Sequence, residues 1–76
     1  MEHLENYHGF EILRPETPIS LNMWLLGIRT DDEELFEKLA KYRALNGPPA
    51  FPPGPLETAV ETARAYIDAV LAMPDE

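Results

Sequence analysis

Hydrophobic positions along this chain fall into four periodic stretches, the first two alternating and the last two at helical spacing. In residues 7–14, YHGFEILR, the pattern alternates: Phe10 and Ile12 share one side with His8 and Arg14, while Tyr7, Gly9, Glu11 and Leu13 take the other. A period of two with aromatic and β-branched residues predicts a strand. Gly9 inside it predicts a bulge or the close approach of another backbone. Pro15 and Pro18 then bracket PETP, which predicts a turn because neither proline can donate a ladder hydrogen bond.

Alternation resumes over 19–29. Trp24, Leu26 and Ile28 form one apolar side, Ile19, Leu21, Met23 and Leu25 form the other, and the parity changes near Asn22 and Met23. That change predicts a bulge or a strand start. A two-stranded ribbon is marginal alone in water. Two apolar sides therefore call for helices on one and a second subunit on the other.

From Thr30 the period lengthens to that of a helix, in TDDEELFEKLAKYRALNG. Thr30 with Glu33 matches the capping box. Asp31, Asp32, Glu33 and Glu34 crowd the first turn, where negative charge suits the positive end of the helix dipole. Glu34–Lys38 and Glu37–Lys41 are i,i+4 pairs in the favourable order. Leu35, Phe36, Leu39 and Tyr42, with the stem of Arg43, line the apolar side, and Gly47 followed by two prolines is the stop. A strand within 34–45, imposed by tertiary contacts, is the alternative.

The last periodic stretch places Leu56, Ala59, Val60, Ala63, Ile67, Val70 and Leu71 on one helical stripe, with Tyr66 at its edge. Gly54 fits the cap and Pro55 the first helical position. Arg64–Asp68 is an i,i+4 pair on the polar side, Pro74 ends the helix, and Asp75 and Glu76 form a solvated tail. Alanines at 59, 63, 65, 69 and 72 permit close packing.

Between the helices lies GPPAFPPGP, five prolines in residues 47–55. Such a run favours stiff polyproline geometry, about 3 Å per residue, and predicts a strut. Phe51 in its middle predicts a plug at the core edge. PAFP at 49–52 has the PxxP spacing of a docking peptide but lacks a flanking arginine. The expectation is a single α+β domain over 1–76. It comprises a small antiparallel β-hairpin or sheet (about 7–14 and 19–29) packed by two helices (about 31–46 and 55–73) joined by a proline-rich connection.

Composition narrows the functional classes. A chain of 76 residues is small enough to be marginally stable alone, and without cysteine it has neither disulfides nor thiolate zinc to staple it. Helix packing or self-association must supply the burial. Fourteen acidic residues against six basic ones give a net charge of −8. That field opposes phosphate backbones and anionic lipid, so the expectation is no nucleic acid and no membrane, but a protein partner or a homodimer. MEHLENYHGF lacks a basic n-region, which argues against a secretory signal, and MWLL at 23–26 is too short to span a bilayer. A cytoplasmic protein is the resulting expectation.

Candidate chemistry is sparse. His3 and His8, with Glu2 and Glu5 nearby, match no metal-ligand spacing, and the acidic run from Asp31 lacks the alternation of a calcium loop. Ser20 is the one serine, and no GxSxG, P-loop or GxGxxG is present. No catalysis, cofactor or metal is expected. A capped, solvated helix start accounts for the acidic cluster. Its functional reading is contact with a basic partner through Asp31, Asp32, Glu33, Glu34 and Glu37.

Tyr7, Gly9, Phe10 and Ile12, then Trp24, then Glu57, Ala59, Ala63, Ile67 and Asp68 trace a pattern. It is an aromatic-x-Gly-aromatic-x-Ile strand, a tryptophan strand and an E-x-A-x-x-x-A-x-x-x-I-D helix. About half the chain thereby resembles a group of small bacterial proteins of unknown function. The resemblance implies a small sheet packed by a C-terminal helix, and it carries no catalytic residue. Together these readings point to a non-catalytic protein-interaction module that homodimerises. One alternative is an acidic inhibitor of the immunity or nucleic-acid-mimicking type, directed at a basic surface. Another is a small-molecule or enzyme accessory role with a pocket holding His8, Arg14 or Trp24.

Overall fold

The computed structural model describes residues 1–20 and 22–74. Leu21, one of the apolar positions above, and the tail residues Asp75 and Glu76 lie outside the described residues. Three strands precede two helices: β1 (Glu2–Tyr7), β2 (Phe10–Arg14), β3 (Gly27–Arg29), α1 (Glu33–Asn46) and α2 (Leu56–Ala72). The strands form one antiparallel sheet in the order β1-β2-β3. The architecture is the α+β arrangement that periodicity implies, with one more strand.

The extra strand comes from splitting 7–14. His8 (φ 50°) and Gly9 (φ 90°) form a two-residue turn between Tyr7 and Phe10. Positive φ at both central positions is the type I′ geometry whose twist suits a hairpin. Gly9 does meet a close neighbour, but a side chain: a Cβ built there would lie 2.6 Å from Leu35 Cδ1. Residues 2–7 thus pair with 10–14, with a register shift between His3 and Glu5 that leaves Leu4 as the odd residue. Leu4 packs against the core from this bulge.

The second expected strand shrinks to Gly27–Arg29. Ahead of it the chain closes on itself: the Ile19 N–H donates to the Met23 carbonyl (2.9 Å) and the Met23 N–H to the Ser20 carbonyl (3.3 Å). Backbone groups committed to this local turn are lost to the sheet, so the parity change near Met23 marks a turn. Trp24 follows outside any strand, half-buried, with the Arg14 guanidinium 5.9 Å from its ring centroid.

One side of the sheet carries the core. Phe10 and Ile12 of β2, Leu26, Leu39 of α1, and Ala59, Ala63, Ile67 and Val70 of α2 are all buried together. The α2 stripe therefore faces inward as its spacing requires, and its alanines let β2 and α1 approach. In α1 only Leu39 is buried. Phe36, read as part of its apolar side, is 59% exposed. Successive helical residues are 100° apart, so the side defined by Leu35, Leu39 and Tyr42 turns Phe36 outward.

The helix ends also depart from expectation. Asp32, not Thr30, caps α1: its carboxylate accepts the Leu35 N–H at 3.0 Å. Thr30 is still leaving β3. Its hydroxyl donates to the Gly9 carbonyl (2.8 Å) and accepts the Asp32 N–H (3.1 Å), tying the hairpin turn to the helix entry. Gly47 (φ 83°) stops α1, its N–H donating to the Arg43 carbonyl at 2.7 Å. Pro55 takes the cap position of α2 without a side-chain bond, one residue later than expected.

The proline-rich segment between the helices contains no helix or strand and is pinned along its length. The Tyr66 hydroxyl donates to the Gly47 carbonyl (2.7 Å), Phe51 packs half-buried against the core, and the Gly54 N–H donates to the Asn22 carbonyl (2.6 Å). Tyr66 also meets Tyr42 edge-on, 5.1 Å between centroids, which braces α2 against α1.

Candidate functional site

The five acidic residues singled out in sequence, Asp31, Asp32, Glu33, Glu34 and Glu37, are all exposed. Neither of the two hollows they border gathers all five. Asp32 is committed to its cap. Asp31 and Asp32 border a cleft of about 330 Å³ beside the hairpin turn, shared with Glu11, Arg29 and Thr30. Asp32, Glu34 and Glu37 border an adjoining open groove of about 650 Å³, shared with Lys38, Lys41 and Met73 at the end of α2. Glu33 borders neither. Both hollows mix signs of charge. Lys38 also donates to the Leu71 carbonyl at 3.5 Å, so this side of α1 is turned toward the end of α2.

The outer side of α1 is different. Phe36, Ala40 and Ala44, spaced i, i+4, i+8, are exposed and fall along one line of the helix surface, with Glu33 and Glu37 beside them. Sequence reading placed Phe36 inside because it neighbours Leu35. The signal for the outer line was the recurrence of Phe36, Ala40 and Ala44, a second apolar period masked by the first.

Charged side chains cross-link the elements in ways local spacing could not show. Arg64 binds Glu5, not Asp68 at i+4, through two hydrogen bonds of 2.7 Å. The guanidinium holds the Glu5 carboxyl below its ordinary range, and the carboxylate raises Arg64 in turn. Asp68 instead accepts from the Tyr7 hydroxyl (3.0 and 3.2 Å), which pushes that hydroxyl up. On the sheet surface away from the helices, Glu11 bonds His3 Nδ1 (2.5 Å) and Arg29 Nε (2.6 Å), and both partners depress its carboxyl. His3 is thereby part of a ladder of side chains that crosses all three strands. Desolvation raises the Tyr66 hydroxyl.

Among the described residues no group of three or more His, Cys, Asp or Glu side chains comes together as a metal site, and no polar or charged side chain is buried. No described helix is long and apolar enough to cross a membrane. His8, Arg14 and Trp24, the trio of the small-molecule reading, border none of the principal hollows. Comparison with protein-family models, curated proteins and solved structures finds no match to this chain.

Proposed function

We propose that this chain is a non-catalytic protein-interaction module that engages its partner through the outer side of α1. The observation that carries the reading is Phe36, 59% exposed, in line with Ala40 and Ala44 and beside Glu33 and Glu37. Scattered exposed apolar residues are ordinary. An aromatic aligned with small residues on one helix side is a more specific arrangement, since aromatics anchor interfaces and alanines let a second surface come close. The flanking carboxylates suit a partner whose apolar pocket is rimmed by Lys or Arg. A second copy laid antiparallel fits the same line, with Phe36 of each against Ala44 of the other. An acidic inhibitor that mimics nucleic acid requires an unbroken carboxylate array. Arg29 in one hollow and Lys38 and Lys41 in the other interrupt it.

The test compares wild type with Phe36→Ala by sedimentation over a range of concentrations and by pull-down with the tagged chain. The reading expects a dimer or a captured partner, lost in the variant while its melting temperature is unchanged. A strict monomer at high concentration that captures nothing contradicts it.

A further inference from the structure

β3 is one of the two edge strands of the sheet, β1 being the other. β2 pairs with one side of β3, and no backbone hydrogen bond from a described residue reaches the other. Unpaired strand edges are templates for a further strand, and short charged edges normally discourage it. Here a pocket of about 160 Å³ adjoins the edge, lined by Leu26 and Ile28 with Leu39, Pro49 and Tyr66. The Tyr66 hydroxyl is already bound to the Gly47 carbonyl, so the ring remains to line the pocket. The volume falls below the range of about 300–1,000 Å³ typical of cofactor and drug sites, and it has room for one aliphatic side chain.

Arg43 completes the pocket lining. Its guanidinium makes no ion pair or side-chain hydrogen bond with any described residue. In the last turn of α1 its charge suits the negative end of the helix dipole, which leaves its planar set of donors open to a ligand. An open strand edge, an apolar pocket and an unpaired guanidinium are thus adjacent.

We propose that the outer edge of β3 takes up an extended peptide segment as a fourth strand, placing an aliphatic side chain in the pocket and a carboxylate on Arg43. Alternate residues of a strand share a face, so the aliphatic residue and the carboxylate stand two positions apart. Main-chain bonds to the edge supply affinity, and the pocket and guanidinium supply selection. The carboxylate is that of an Asp or Glu side chain, since a segment that continues past both groups keeps its main-chain bonds along the edge. A second copy is a poorer occupant: its own β3 spans three residues and runs directly into the α1 cap, where Asp32 is committed. The inference uses neither Phe36 nor the acidic cluster and stands independently of the α1 reading.

The experiment selects two displayed random-peptide libraries on the tagged full chain, one with free C-termini and one with the random segment flanked on both sides. The expected enrichment is aliphatic–x–Asp or aliphatic–x–Glu in the flanked library; enrichment confined to a free C-terminal carboxylate overturns that assignment. Calorimetric titration of an enriched peptide should weaken on the order of tenfold with Arg43→Glu and less with Arg43→Lys, which keeps charge without the fork. Amide exchange at 27–29 should slow on binding. Arg43 is exposed, so thermal melting should find both variants folded. The proposal is overturned by failure of both libraries to enrich, by an affinity indifferent to Arg43→Glu, or by binding that leaves exchange at 27–29 unchanged. A dimer already protecting 27–29 and dissolved by Arg43→Glu assigns the edge to a second copy and overturns it equally.

Discussion

Arg64 of α2 grips Glu5 of β1 through two hydrogen bonds of 2.7 Å, across 59 positions of sequence. Beside it the Tyr7–Asp68 bond joins the same two elements. These links fasten β1, the strand whose sequence advertises least, to the helix that supplies half of the buried cluster.

The pH dependence of stability follows from such bonds. Glu5 and Glu11 titrate below the usual glutamate value of about 4.3 in the folded chain. A depressed acid contributes fully above its unfolded value, and the contribution is lost as pH falls through the folded one. Tyr7 and Tyr66 titrate above the usual tyrosine value of about 10, so their contribution is whole below it and is lost as pH rises beyond. The urea midpoint should therefore be flat near neutrality and fall on both sides. Glu5→Gln should lower the neutral midpoint and make the acid limb shallower. An acid limb identical in wild type and variant rules this out.

Core truncation should threaten the whole fold. Ile67 is 0% exposed and lies with Phe10, Ile12 and Val70 at the centre of the cluster. Ile67→Ala should cost about 2–5 kcal/mol and Ile67→Val about 0.5–1.5 kcal/mol. At roughly 0.05–0.15 kcal/mol per residue, a chain this size has about 4–11 kcal/mol in hand, so the larger loss removes from nearly half to all of it. Denaturant melts should show the valine variant folded and the alanine variant largely unfolded at 37 °C.

Gly9 is constrained twice, by φ 90° and by Leu35 Cδ1 at 2.6 Å from a would-be Cβ. Gly9→Ala should destabilise by about 1–3 kcal/mol. In a double-mutant cycle with Leu35→Ala the steric part should disappear and the backbone part remain, giving a favourable coupling smaller than the single loss. Strict additivity of the two changes, measured by urea unfolding, would show that the contact exerts no strain.

The two candidate caps of α1 separate cleanly. Asp32→Ala should cost about 0.5–2 kcal/mol and Asp32→Asn much less, because asparagine also accepts at that position. Thr30→Ala should loosen the hairpin turn, where its hydroxyl donates to Gly9, and amide exchange there should rise before exchange within α1 does. The reverse order of exchange would make Thr30 the helix cap after all.

Much of this fold was legible in spacing alone. The α2 stripe from Ala59 to Val70 and the Gly47 stop rest on side-chain period and local backbone chemistry. The His8–Gly9 turn carried a hairpin signal that alternation obscured: a single strand over 7–14 puts Tyr7 and Phe10 on opposite sides, whereas the turn makes them cross-strand partners. The outward Phe36 was legible only as a second apolar period on α1. The Arg64–Glu5 bond had no sequence signal.

By itself the sequence determined where helices form, where they stop and which α2 residues are apolar enough to be buried, because these follow from interactions within a few positions. The tertiary structure decided that residues 2–7 form a strand, that 19–20 and 22–26 lie outside the strands of the sheet, which carboxylate Arg14, Arg29 and Arg64 each hold, and that Arg43 shares a pocket with Gly27 and Ile28 of β3. Those outcomes depend on which distant surfaces meet, and no local period records a contact made across the fold.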